Sequence, residues 1–112
     1  SLLARFRGPR FGRAGVRELL GAPERPLLCT AIKPMGLSAE RLAQSAFELA
    51  IGGIDMIKDD HSLANQEFAP FKERVERCAE AVRKATQAVA DDLTGVIYMP
   101  DRSLDPRGAS LD

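Results

Sequence analysis

The sequence predicts an α/β domain built on a parallel sheet, and three observations carry that expectation. Two short apolar runs, LLCTAI from Leu27 and GGIDMI from Gly52, end in polar, reactive stretches: Lys33 after the first, Lys58-Asp59-Asp60-His61 after the second. A helix-length segment joins them. Beyond a second such segment lies a third apolar run, Val96–Met99. Strand, helix, strand, helix, strand implies right-handed crossovers and parallel strands. A parallel sheet carries its chemistry at the carboxyl ends of its strands, which is where Lys33, Lys58, Asp60 and His61 fall.

Residues 1–25 hold Gly8, Pro9, Gly12, Gly15, Gly21 and Pro23 around a short helical piece, Val16–Leu20, and read as a connector leading into the domain. Pro26 opens the first strand, expected over 26–32, whose continuous apolar character suits a strand covered on both faces. Pro34 and Gly36 break it. Ser38 is a good N-cap, Glu40 complements the helix dipole, and Leu42, Ala43, Ala46, Phe47, Leu49 and Ala50 form one stripe. A helix is therefore expected over 38–51, ended by Gly52-Gly53 in left-handed backbone.

The second strand is expected over 54–58, followed by a loop over 61–70. A longer helix over 71–89 presents Val75, Cys78, Ala79, Val82, Ala85 and Val89 on one face. The third strand, over 95–99, stops at Pro100, and 101–112 carry turn chemistry only, an irregular tail. An open three-stranded sheet leaves edges and one face poorly covered. Residues 26–100 thus read as the first part of a larger α/β domain, and the chain as a fragment of it.

Composition narrows the classes of function. Hydrophobic residues at 45% and charged residues at 29% are ordinary for a globular domain. With 16 basic and 16 acidic residues the formal charge is zero, so no nucleic-acid or anionic-membrane partner is expected. The arginines at 5, 7, 10, 13 and 17 are spaced by Gly, Pro and Phe and read as a solvated face. No apolar run approaches the ~20 residues of a membrane span, and Cys29 and Cys78 have no metal-binding spacing. A reduced, cytoplasmic setting is expected.

Alternation along the second strand puts Ile54, Met56, Lys58 and Asp60 on one face and Asp55, Ile57 and Asp59 on the other. If the sheet curls into a barrel, Lys58 and Asp60 point into its mouth, His61 turns toward the same point, and Lys33 arrives from the neighbouring strand. Asp60 and His61 suit a divalent cation, because carboxylate oxygen and neutral imidazole both coordinate such ions. A lysine buried beside a metal can act as a base or react with an electrophile. Lys33 could shuttle a proton to or from a carbonyl substrate. The competing reading is a charged turn capping a strand, with Lys33 on the surface.

Four motifs shift the balance. GPRFGRAGVRELLG from Gly8, IKPMGLS from Ile32, GGIDMIKDD from Gly52 and QEFAPFKERV from Gln66 follow one another at separations that resemble the large subunit of RuBisCO and, more closely, the RuBisCO-like proteins. The resemblance runs from about Gly8 to Pro100. It implies a TIM (β/α)8 barrel, of which this chain supplies the first three parallel strands and their helices, and a homodimer or higher homo-oligomer. In the carboxylating members the lysine matching Lys58 carries a carbamate made from carbon dioxide. With acids matching Asp60 and the next residue, it binds Mg2+. The metal stabilises an enediolate formed on a phosphorylated ketose, which agrees with the chemistry of a hard cation and oxygen ligands.

The departures from that pattern shape the functional expectation. A second lysine is missing after Pro34, where the stretch is one residue shorter and carries Met35. The third acid is replaced by His61, so another divalent cation could serve, since imidazole suits zinc, manganese or iron better than magnesium. The third strand ends in Tyr98-Met99-Pro100 where the carboxylase pattern has an asparagine. KPMGLS and KDDH look most like the relatives acting on branched sugar acids. The resemblance therefore implies a lyase or hydrolase of carbon–carbon bonds acting on a phosphorylated keto-sugar acid of the 3-oxo-isoapionate 4-phosphate type. Lys33 would be catalytic and substrate-binding, Lys58 catalytic, and Lys58, Asp60 and His61 the metal ligands. The alternatives are ribulose-bisphosphate carboxylase, the diketo-phosphate enolase of methionine salvage, and a non-catalytic truncated relative. The fragment alone is expected to be inactive.

Overall fold

Strand β1 covers Cys29–Ile32, shorter than the apolar run that contains it. Pro26 has no N–H to give, and the Leu28 N–H goes to the Asp55 carboxylate at 2.9 Å, so ladder pairing starts one residue later. The computed structural model describes residues 3–5, 7–33, 36–61, 63, 65–88 and 95–100. Pro34, Met35, Val89 and the tail 101–112 lie outside the described residues.

Helix α1 spans Gly12–Leu20, starting four residues before the expected piece. It ends at Gly21, whose φ of 59° permits the paired bonds from Gly21 N to Glu18 O and Ala22 N to Arg17 O. After β1 come α2 (Ala39–Ile51), β2 (Met56–Asp59), α3 (Phe71–Ala88) and β3 (Ile97–Met99). The Ser38 side chain accepts from Arg41 N, as its cap position predicts. The left-handed residue closing α2 is Gly53, with φ 96°, rather than Gly52.

The sheet has the order β1-β2-β3 with both pairings parallel. Cys29 pairs with Met56 and Ile32 with Asp59, while Met56 pairs with Ile97 and Lys58 with Met99. Helices α2 and α3 pack on each other and on one face of the sheet. Leu42, Ala46 and Ala50 from α2 meet Cys78, Val82 and Ala85 from α3 over Ile32 and Ile57. Burying a side chain such as Leu42, which is fully enclosed, contributes about 1.5–3 kcal/mol. The α3 stripe is turned from its expected face. Ala79 is exposed, and Arg74 is buried between Phe71 and Cys78.

Asp55 ties the amino ends of all three strands together. Its carboxylate accepts from Arg25 Nη1 at 2.8 Å and Nη2 at 2.6 Å, besides Leu28 N. Its backbone N donates to Leu28 O, and its O accepts from Ile97 N. The Arg25 guanidinium holds the Asp55 carboxyl below the ordinary carboxylate range, against the opposing effect of burial. A carboxyl depressed in the folded state adds stability above its unfolded value of about 4, which is lost as pH falls through the folded value. The melting-temperature gap between the native protein and Asp55→Asn is therefore expected to be widest near neutrality and to shrink in acid. A gap independent of pH would contradict this reading.

Candidate active site at the carboxyl rim of the sheet

The site is built by the alternation of β2. Ile57 and Asp59 are fully buried toward the helices, whereas Met56 and Lys58 are half-buried on the opposite face. Asp60, one residue past the strand, is half-buried, and His61, opening the following turn, is exposed. The turn is closed by Leu63 N donating to Asp60 O at 3.0 Å. Lys58 Nζ donates to the backbone O of Asp59 at 2.6 Å.

Register brings the neighbouring strands to the same rim. Ala31 lies across from Lys58 and Ile32 across from Asp59. Lys33, the next residue, is exposed and stands one step past that pair, level with Asp60 and in phase with Ala31 and Lys58. On the other side Lys58 lies across from Met99, with Pro100 following. Lys33, Lys58, Asp60 and His61 thus lie at or just past the carboxyl ends of β1 and β2. A hollow of about 550 Å³ along the outer edge of β1 is lined by Thr30, Ser45, Leu49 and Ile54 and shares only Lys33 with these rim residues.

Asp59, an acid of the same KDDH stretch, does not join them. It is turned to the helix face, where Arg74 Nε donates to Oδ2 at 3.1 Å and Tyr98 Oη to Oδ1 at 2.6 Å. The Asp59 and Arg74 side chains are both 0% exposed. Burial, with Cys78 and Asp59 adding to it, raises the Tyr98 phenol above its ordinary range, so it remains a donor. Burial, together with Asp59, pushes the Cys78 thiol up to about 11, and it stays protonated. Neither cysteine is in a disulfide.

Among the described residues no three His, Cys, Asp or Glu side chains are grouped to hold a metal ion. Asp60 and His61 offer one carboxylate and one imidazole. Lys58 as an ammonium is no ligand, but a carbamate on Nζ converts it into an oxygen donor. The donor set fits a divalent cation on that condition. Among the described residues no helix is long and apolar enough to cross a membrane.

Residues 12–95 match the family described as ribulose bisphosphate carboxylase large chain, catalytic domain. The chain is 45% identical over 111 residues to ribulose bisphosphate carboxylase-like protein 1 of Rhodopseudomonas palustris, covering 97% of this chain and 29% of that protein. It is 52% identical over 103 residues to the 5-methylthioribulose-1-phosphate isomerase of Rhodospirillum rubrum, covering 91% and 27%. The crystal structure of a RuBisCO-like protein from Rhodopseudomonas palustris superposes with a TM-score of 0.77 at 50% identity, covering 83% of this chain and 26% of that one. The chain accordingly spans under a third of the length of these relatives. A match over most of its length, joined to three parallel strands in sequence order, places the chain in the RuBisCO large-chain catalytic-domain family as part of an α/β barrel.

Proposed function

We propose that a full-length protein carrying this chain forms an enediolate on a phosphorylated keto sugar, with Lys58, Asp60 and His61 holding a divalent cation and Lys33 moving the proton. The observation that supports it most is the register: Ala31 pairs with Lys58 and Ile32 with Asp59, so Lys33 and Asp60 are each the next residue past adjacent parallel strands. A bound cation supplies positive charge that offsets the charge developing on the substrate oxygens. Lys33 takes the proton next to the carbonyl or returns it to the enediolate. Lys58 enters as a carbamate formed from carbon dioxide, and Mg2+ is the cation proposed first.

For the substrate we propose a branched keto-sugar acid of the 3-oxo-isoapionate 4-phosphate type, followed by decarboxylation or hydrolytic C–C cleavage. The KPMGLS and KDDH sequences support this choice. A second reading, isomerisation of 5-methylthioribulose 1-phosphate, is favoured by the 52% identity to a protein of that name. Both pass through an enediolate. In the sugar-acid reading it is left when the carbon–carbon bond beside the carbonyl breaks, and it then takes up a proton; in the isomerase reading it forms by proton removal and is reprotonated on the neighbouring carbon.

The test is a substrate panel on the full-length protein: 3-oxo-isoapionate 4-phosphate, 5-methylthioribulose 1-phosphate, ribulose bisphosphate and the diketo phosphate of methionine salvage. Cleavage of the first is expected, abolished by a chelator and restored by Mg2+ or another divalent cation. Turnover of the second alone would establish the isomerase reading. Robust carboxylation of ribulose bisphosphate, or activity indifferent to chelation, would refute the proposal.

A further inference from the structure

We propose that Asp59, Arg74 and Tyr98 form a positioning clamp behind β2 that fixes where Lys58 and Asp60 project, an inference resting on their assignment as metal-binding residues. The three clamp residues come from β2, α3 and β3 and converge on one carboxylate at the last residue of β2. Asp59 sits between Lys58 and Asp60 in the chain. Its bonds to Arg74 and Tyr98 on the helix face therefore constrain the backbone that aims both neighbours at the opposite face.

Two further contacts extend the clamp to the rest of the rim. Lys58 Nζ donates to the Asp59 backbone O, so the amine is held against the clamped residue itself. Arg74 Nη1 donates to Ala69 O at 2.8 Å, near the far end of the loop that His61 opens. Asn65 Oδ1 accepts from Phe71 N at 2.9 Å and ties that loop to the start of α3. One guanidinium thus joins the strand end and the loop end on either side of His61.

Stability alone does not call for this arrangement. A buried ion pair is often no better than apolar residues of the same volume, whereas directional bonds specify one geometry. The network backs the one strand end where Lys58 and Asp60 stand together.

The experiment uses full-length protein and Mn2+ as the probe. Binding is followed by the electron paramagnetic resonance signal of free Mn2+, with and without bicarbonate. Tyr98→Phe removes one hydroxyl and leaves the ring and the Asp59–Arg74 pair. Val82→Ala thins the same helix–sheet core away from the clamp and serves as the stability control. Tyr98→Phe is expected to weaken Mn2+ binding about 10-fold, the low end for supports behind metal ligands. Val82→Ala, with an equal or larger loss of melting temperature, is expected to bind Mn2+ like the native protein. Native affinity in Tyr98→Phe, or affinity falling in both variants in step with stability, overturns the clamp. If the native protein binds no Mn2+ under either condition, the metal assignment itself falls and takes the clamp with it, an outcome distinct from a binding native protein with an indifferent Tyr98→Phe.

Discussion

On the proposed assignment, Lys58→Ala in a full-length protein is expected to lower turnover by at least ~100-fold, the low end for losing a catalytic group. The substitution removes the amine and any carbamate oxygen on it, leaving Asp60 and His61 as a carboxylate and an imidazole with no third donor from β2. Lys58 lies on the face away from α2 and α3 and takes no part in the buried layer. The melting temperature is therefore expected to stay close to native, within the ~0.5 kcal/mol typical of sites away from the core. Activity like that of the native protein would remove Lys58 from the mechanism. A large loss of stability would show that its role is structural.

The largest effect on stability is expected at Arg74. Arg74→Leu takes the guanidinium from a fully buried carboxylate and should destabilise by about 3–5 kcal/mol, the range for breaking a buried ion pair. The bond to Ala69 O and the cation–π contact with Phe71, 5.6 Å from the ring centroid, are lost with it. Removing both charges and the hydroxyl together, as Asp59→Leu, Arg74→Leu and Tyr98→Phe, should recover much of that loss, because apolar groups then meet apolar groups. Urea denaturation midpoints decide the matter. A single variant as stable as the native protein would show that the pair carries no structural weight.

Much of the fold was legible because local chemistry and long-range packing agree. Ser38 caps α2, Pro100 follows β3, and period-two alternation separates Ile57 from Lys58. Parallel pairing in sequence order came from the spacing of apolar runs. What failed to show was governed by contacts between distant residues. Arg74 reads as a solvated charge until Asp59, 15 residues earlier, supplies its partner. Its position three residues after Phe71 and four before Cys78 was the available signal, a charge standing in an apolar stripe. Asp59 itself reads as one more rim acid by composition and as a helix-facing residue by parity, and parity prevails. Strand β1 proved shorter than its apolar run because the Asp55 side chain claims the Leu28 N–H. The rim was legible as a place, since strand ends and register follow from topology.

The division of β2 between two faces has a consequence for how such a protein can change over generations. Along Met56–Asp59 the buried residues hold the layer together and the half-buried ones face the barrel side. A substitution at half-buried Lys58 changes the group presented at the rim without opening a hole in the packing, and exposed His61 is freer still. Selection can therefore sample new chemistry on one side of the strand while the other side keeps the chain folded. One inherited framework can in this way come to serve catalysts of different reactions.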